Sequence, residues 1–326
     1  MATEAFNEAK QRIQRLPKDG VKDPKRVLSA MLDNLPPSGR AAIANETIAF
    51  ASDDELKQTS EYYVHNVFKP NELFFHFELK SAGGATPTST PSTYEELEVQ
   101  ADELSGSLGS YASSKSLERI CFPRDNFKRV VTQLMSQRMP QYLRPANSIP
   151  APTQTCHIVP LALAQHGSSD QGILQASRTT WSTLYRLFPG LESRMIGSNL
   201  LTDINNPRNL FTVVETVHST FGRFDLALEP IAGQSNLYNI IVWQDGAVGH
   251  ILPLLPNNRI ARLSNHGDPS VPLPDPYFFE VHLVISRILH ASGLARLLTE
   301  LLEDYCEFHS LASDGSTNIP YSTEGA

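Results

Sequence analysis

Cysteines are scarce in this sequence, and long apolar segments are missing. The 326 residues include only three cysteines, Cys121, Cys156 and Cys306, so at most one disulfide bond could form. This number is too low for a disulfide-stabilised secreted scaffold and is typical of a reducing compartment. No segment approaches the roughly 18 consecutive apolar residues of a membrane-spanning helix, and the polar N-terminal stretch lacks the apolar core of a secretory signal. We therefore expect an intracellular protein, nuclear or cytoplasmic, that is neither secreted nor inserted in a membrane.

Several common motifs of nucleotide-binding and hydrolytic enzymes are also absent. The sequence has no G-x-x-x-x-G-K-[ST] phosphate loop, no G-x-G-x-x-G dinucleotide loop and no G-x-S-x-G nucleophile turn. These absences argue against the most common nucleotide-dependent enzymes and against the α/β-hydrolases. Hydrophobic residues make up 40% of the chain, which is enough for a packed core, and the length suggests one large domain or two.

Charge is distributed unevenly along the chain. The net charge is −8, which by itself argues against nucleic-acid binding. Residues 115–150, however, carry seven basic and two acidic side chains. Arg124, Lys128 and Arg129 belong to this basic segment, and we expect them to contact the phosphates of a nucleic acid. The alternative is that the segment is only a solvated charged face.

Composition divides the chain into four parts. Residues 1–80 have apolar side chains at helical spacing and predict a separate N-terminal helical module. Residues 81–114 begin with SAGGATPTSTPST and predict a flexible linker. Residues 115–310 hold alternating strand and helix patterns followed by C-terminal helices and predict the main domain. Residues 311–326 are polar and predict a disordered tail.

One set of residues in the main domain carries a chemical pattern. A short strand ends in Cys156-His157, a later turn contains Asn209, and the strand that follows runs into a helix bearing His218. A neutral imidazole can accept a proton from an attacking water near physiological pH, and a bound metal can stabilise the leaving oxygen of a phosphodiester. An asparagine, with both a donor and an acceptor, could orient the first histidine. We expect His157 to be the base, Asn209 the orienting residue and His218 a metal ligand.

Each of these residues also has a structural interpretation. His157 could be a satisfied core histidine, Asn209 a turn cap, and His218 an ordinary residue of an amphipathic helix. Cys156 could be a small buried hydrophobic residue. These alternatives stay open on the sequence alone.

The surrounding motifs resemble the HNH endonuclease family, in the variant common in fungal proteins. The matching segments read RDNFKRVVTQL, CHIVPLAL and NNPRNLFTVVETVHSTFGRF, and the family pattern reads RD-x-x-RC-x-x-TG, AHI-x-P and IN-x-x-x-N-x-x-x-L-x-x-x-x-H-x-x-F. The resemblance covers about residues 117–245 and extends more weakly to about residue 308. It implies an α+β fold, with a ββα-metal core of HNH type, added strands and C-terminal helices, beside the separate N-terminal helical segment.

The resemblance also assigns roles to individual residues. His157 matches the general base, Asn209 the middle asparagine and His218 the metal-binding histidine. Cys156 stands where many HNH enzymes have an aspartate ligand, and a thiolate there would suit Zn²⁺ better than Mg²⁺. The sequence also departs from the pattern where Arg129 replaces the usual cysteine, Gln133 the usual glycine and Gly222 a common aspartate, whereas Lys128 keeps the charge of the usual arginine. No C-x-x-C pair is present, so a zinc-ribbon staple is excluded.

Our leading hypothesis is therefore a metal-dependent endonuclease. It would hydrolyse phosphodiester bonds of nucleic acid, DNA being expected ahead of RNA, with Mg²⁺, Mn²⁺ or Zn²⁺ bound by His218 and Cys156. The alternative is a catalytically degenerate HNH-fold protein that binds nucleic acid or protein without cleavage. A third hypothesis is a helical scaffold that dimerises through its C-terminal helices.

Overall fold

The structure is a computed structural model of the chain and describes residues 2–17, 23–68, 114–127, 130–132, 134–137, 139–144, 150–160, 171–195, 203–243, 248–297 and 299. The predicted linker at 81–114, apart from Ser114, and the predicted tail at 311–326 lie outside the described residues. Lys128, Arg129 and Gln133 also lie outside them.

The N-terminal part of the chain is helical, as its apolar spacing predicted. Its elements are α1 (Ala2–Arg15), α2 (Pro24–Asn34), α3 (Pro37–Ala49), α4 (Asp53–Tyr63) and a π-helical turn at Val64–Phe68. Asp23 caps α2 by accepting a hydrogen bond from the backbone N–H of Lys25 at 3.0 Å. Ser52 begins α4 with a capping box in which Glu55 binds back to the Ser52 backbone.

The middle of the chain contains a pair of antiparallel strands followed directly by a helix. The elements are α5 (Ser114–Arg124), β1 (Met135–Ser136), β2 (Pro150–Ala151), β3 (Thr153–His157), α6 (Gln171–Leu187), α7 (Pro189–Glu192), a 3₁₀ turn at Pro207–Asn209, β4 (Leu210–Val214) and α8 (Glu215–Gly222). β1 and β2 pair in parallel, and β3 pairs antiparallel with β4. All five residues of β4 are buried, because α5 and α8 pack against this strand. Such a fully covered strand is expected to be apolar and β-branched, as LFTVV is.

A second sheet and a long helix complete the fold. The elements are β5 (Leu226–Pro230), β6 (Leu237–Val242), a 3₁₀ turn at Leu252–Leu254, β7 (Ile260–Arg262) and α9 (Pro276–Ser292). The three strands form an antiparallel sheet in the order β5-β6-β7, and α9 packs against β5. Asp275 caps the start of α9, and Gly293 ends it with a φ of 80°, a conformation that favours glycine. These mixed elements confirm the predicted α+β class.

The N-terminal helices pack against the main domain. α2 packs against α9, and α3 and the π-helical turn pack against α6, so that one hydrophobic cluster includes residues from Ala9 to Ala295. At Gly39 the backbones approach so closely that a Cβ atom would overlap the carbonyl oxygen of Leu187. The helices of the predicted N-terminal module therefore bury their apolar faces against α6 and α9 and share one hydrophobic cluster with them. No helix within the described ranges is long and apolar enough to span a membrane.

Candidate active site

The three residues of the predicted His–Asn–His set lie on one ββα unit. His157 ends β3 and pairs with Leu210, the first residue of β4. The backbone N–H of Ile158 donates to the carbonyl of Asn209 at 2.9 Å, which continues the strand pairing into the turn before β4. His218 lies one turn into α8, and α8 packs against both strands. Strand register and helix packing therefore bring the three residues together across 61 positions of sequence.

Asn209 is fully buried and uses its whole carboxamide on the backbone. Its Oδ1 accepts a hydrogen bond from the N–H of Val159 at 2.8 Å. Its Nδ2 donates to the carbonyl of Val159 at 2.8 Å and to that of Ile204 at 2.9 Å. Asn209 thus holds the segment that follows His157, rather than contacting the imidazole ring by these bonds. The contacts of Asn209 near His157 are thus to the backbone of Val159 and Ile204.

The imidazole of His157 is nearly enclosed, with 8% of the residue exposed. Its Nε2 lies 3.0 Å from Oδ1 of Asn205. A carboxamide oxygen can only accept, so Nε2 carries the proton and Nδ1 carries the lone pair of the neutral ring. Burial lowers the pKa of His157 to about 4, partly opposed by the Asn205 hydrogen bond. The ring is therefore neutral at physiological pH, as a proton acceptor must be.

His218 is more deeply buried, with 3% of the residue exposed. Its Nδ1 lies 2.6 Å from Nε2 of Gln154, an amide nitrogen on β3 that can only donate. Nδ1 therefore accepts, and the neutral ring carries its proton on Nε2. Burial, and then electrostatic repulsion from His157 in its protonated form, lower the pKa of His218 to about 3. The second cause means that the two imidazoles are close enough to interact electrostatically.

Comparison with known families agrees with this geometry. Residues 130–229 match the model of a family described as HNH endonuclease. This segment is similar to HNH endonuclease domains. The match, called the HNH segment below, runs from the turn before β1 to β5 and contains Cys156, His157, Asn209 and His218. It covers less than half of the chain. No curated protein and no solved structure gives a significant match.

Cys156 occupies the interior of the HNH segment. It is fully buried within the main hydrophobic cluster, and its Sγ donates to the backbone carbonyl of His157 at 3.4 Å. It pairs with Phe211 on β4. This environment corresponds to the alternative interpretation, in which Cys156 is a small buried hydrophobic residue, and it gives no support to the predicted role as a metal ligand.

The donors near His218 do not fit a metal centre made by protein side chains. Within the described part of the chain, no group of three or more His, Cys, Asp or Glu residues is placed to hold a metal ion. The nitrogen of His218 that carries the lone pair already accepts the amide N–H of Gln154. A catalytic zinc site usually has about three protein ligands and one open position. The predicted ligand pair of His218 and Cys156 does not meet this requirement.

Arg124 was predicted to contact phosphates, and this prediction is wrong. The side chain is fully buried, and its guanidinium forms two hydrogen bonds with Asp125, at 2.8 and 3.0 Å. It also donates to the carbonyls of Pro207 and Leu210, at 2.8 and 2.7 Å, and to that of Pro272 at 3.0 Å. Arg124 therefore ties the turn containing Asn209 to the segment before α9. Its hydrogen-bond donors are therefore occupied within the fold. Lys128 and Arg129, the other two residues predicted to contact phosphates, lie outside the described residues.

Sequence reasoning missed the two carboxamides that contact the imidazoles. Gln154 lies at a partly exposed position of β3, and nothing in the local sequence indicates that it contacts His218. Asn205 belongs to the Asn-rich turn before β4, which contains three asparagines within five residues. Only the family pattern, which has an asparagine four residues before the middle one, could have marked Asn205.

Proposed function

We propose that the HNH segment hydrolyses phosphodiester bonds in nucleic acid, with DNA as the expected substrate. The observation that carries the proposal is the meeting of His157, Asn209 and His218 on a ββα unit that lies within the match to the HNH endonuclease family. His157 would accept the proton of the attacking water through Nδ1. Asn209 would hold the end of β3, and His218 would face the same reaction centre from α8.

The electrostatics support a proton-accepting role for His157. A base must be unprotonated before it acts, and burial keeps this imidazole neutral at physiological pH. The backbone next to it is held by the three hydrogen bonds of Asn209, which limits the motion of the strand end. Such positioning is a large part of catalysis by oriented groups.

Nucleases of the HNH type generally use a divalent metal, and among the described residues no group of three or more His, Cys, Asp or Glu side chains is placed to hold one. The assay should therefore treat the metal as a variable. Supercoiled plasmid, single-stranded DNA and RNA are each incubated with the full chain in Mg²⁺, Mn²⁺, Zn²⁺ or EDTA. We expect nicking of the plasmid by the wild type and none by His157→Ala. A variant that nicks as fast as the wild type would overturn the role of His157.

A second candidate function is nucleic-acid or protein binding by an HNH-type domain that does not cleave. It is favoured by the carboxamides on both imidazoles and by the lack of a three-ligand metal group among the described residues. Fluorescence anisotropy with labelled DNA, together with the nicking assay, separates the two functions. Binding without cleavage under every metal condition would support the second candidate and contradict the first.

A further inference from the structure

Asn205 is buried beside His157, although it is not a member of the His–Asn–His set. The residue lies in the turn that leads into the 3₁₀ segment before β4, and 6% of it is exposed. Its Oδ1 meets Nε2 of His157 at 3.0 Å. The two residues are 48 positions apart in sequence, so this contact depends on the tertiary fold.

We propose that Asn205 is the positioning residue of His157, and that it selects the ring tautomer with the proton on Nε2 and the lone pair on Nδ1. The consequence for catalysis rests on the proposed function, in which His157 accepts a proton. The neutral imidazole has only one lone pair, so the choice of tautomer decides which edge of the ring can act as the base. A carboxamide oxygen at Nε2 makes that choice, because it has no proton to give.

The backbone around Asn205 is held by the same residue that holds the backbone after His157. The carboxamide of Asn209 binds the carbonyl of Ile204, immediately before Asn205, and both backbone groups of Val159, two residues after His157. One side chain therefore joins the two segments that carry the imidazole and its acceptor. This arrangement fixes the distance between Asn205 and His157, and it gives the middle asparagine of the set a physical route to the ring.

The side-chain acceptor of His157 differs from the acceptors of two other histidines that the structure describes. His282 and His290 instead have Nε2 at hydrogen-bond distance from a backbone carbonyl, of Phe221 and Phe224 respectively, with Asp225 Oδ1 also 3.7 Å from Nε2 of His290. A carbonyl of the backbone would satisfy a structural histidine equally well. At His157 the acceptor belongs to a side chain, and it can be removed without changing the backbone.

The test reads the tautomer directly by long-range ¹H–¹⁵N correlation spectra of the full chain labelled at histidine nitrogen. In the wild type we expect the His157 Nε2 signal at the protonated position and the Nδ1 signal at the unprotonated position. Asn205→Ala should lose this single pattern and give averaged signals or the Nδ1–H form. Asn205→Asp keeps an acceptor and should keep a proton on Nε2. Asn206→Ala is the matched control, because Asn206 is exposed and its side chain accepts a hydrogen bond from the backbone N–H of Arg208.

Two results would overturn the proposal. One is an Nδ1–H tautomer of His157 in the wild type, and this measurement does not depend on the folding of any variant. The other is an unchanged Nε2–H pattern in a folded Asn205→Ala variant.

If the tautomer changes as expected but no form of the chain cleaves nucleic acid, the positioning role stands and the proposed function fails. If the wild type cleaves and Asn205→Ala cleaves as fast with the same tautomer, the proposed function stands and this inference fails. We otherwise expect Asn205→Ala to cleave about 10–100-fold more slowly, as is typical when the partner that orients a functional histidine is lost.

Discussion

The side chain of Asn209 forms a closed pair of hydrogen bonds with the backbone of Val159, each 2.8 Å long. A third bond, to Ile204, uses the remaining amide hydrogen at 2.9 Å. All three residues are buried, so water cannot reach these groups and the hydrogen bonds of Asn209 satisfy them instead. The middle residue of the His–Asn–His set is therefore a backbone clamp in this protein, and its loss should be felt as loss of stability.

We predict that Asn209→Ala lowers the free energy of unfolding by more than about 2 kcal/mol, since each buried group left unsatisfied costs about 1–3 kcal/mol. Asn209→Asp should cost at least as much, because its carboxylate would face two carbonyl oxygens. Asn239→Ala is the control, since Asn239 is half-buried and makes a long 3.4 Å contact with Glu229. Urea unfolding measures all three, and equal losses for Asn209→Ala and Asn239→Ala would contradict the clamp.

Arg124 gives a second prediction about stability. Its guanidinium is fully buried and bonded to Asp125 and three backbone carbonyls. Removing one partner of a buried ion pair costs about 3–5 kcal/mol, so Arg124→Ala should reduce the free energy of unfolding by that amount. Arg287→Ala removes a pair with Glu229 that is 42% and 32% exposed, and it should cost about 0–1 kcal/mol. A similar small cost for both variants would show that Arg124 does not hold the fold.

Features that depend on local sequence could be predicted, whereas features that depend on tertiary contacts could not. The elements bearing His157, Asn209 and His218 could be predicted, because strand, turn and helix patterns are local and the family motif gives their order. The burial of Arg124 could not be predicted, because its acceptors come from Pro207, Leu210 and Pro272, far along the chain. An arginine in a basic segment is ordinarily expected at the surface.

The packing of the N-terminal helices on α6 could not be predicted from the sequence either. The Gly/Pro/Ser/Thr-rich stretch after residue 80 indicated a linker, and a linker suggests independent domains. Composition carries no information on where a helix face is buried. The close approach of Gly39 to Leu187 and the hydrogen bond of Tyr62 to Thr183, at 2.7 Å, join the N-terminal helices to α6.

The pH dependence of stability should include a contribution from His282. This imidazole is stacked between Phe221 and Phe224, with ring centroids at 3.7 and 4.6 Å, and burial lowers its pKa from 6.5 to about 3, partly opposed by the hydrogen bond to Phe221. The unfolded chain therefore binds a proton that the folded chain does not, at pH values between these two. The contribution to stability is complete above about pH 6.5 and is lost as the pH falls toward 3, at about 1.4 kcal/mol per pH unit.

We predict that His282→Gln makes the decline in the free energy of unfolding between pH 6.5 and pH 4 shallower by about one proton. Urea unfolding at several pH values gives this slope. His250→Gln is the control, because His250 is exposed, and it should leave the slope unchanged. An identical slope in His282→Gln and the wild type would contradict the assignment.

Gln154 gives a prediction about metal binding. Its amide N–H occupies Nδ1 of His218. A glutamate at this position would instead accept a hydrogen bond from a protonated Nδ1, and the lone pair of His218 would then lie on Nε2, where a metal could bind. We predict that Gln154→Glu binds Mn²⁺ or Zn²⁺ at least about tenfold more tightly than the wild type in calorimetric titration. Gln154→Glu combined with His218→Ala should lose this gain, and a gain that persists would place the metal elsewhere.

The rate of cleavage under single-turnover conditions tests the central claim, that His157 is the base of a nuclease-type site. It is measured on plasmid DNA, in the metal that supports the highest activity, for the wild type, His157→Ala and His250→Ala, after circular dichroism has shown that all three are folded. We predict a loss of at least about 100-fold for His157→Ala and no loss for the exposed control. Equal cleavage rates for folded His157→Ala and the wild type would contradict the account.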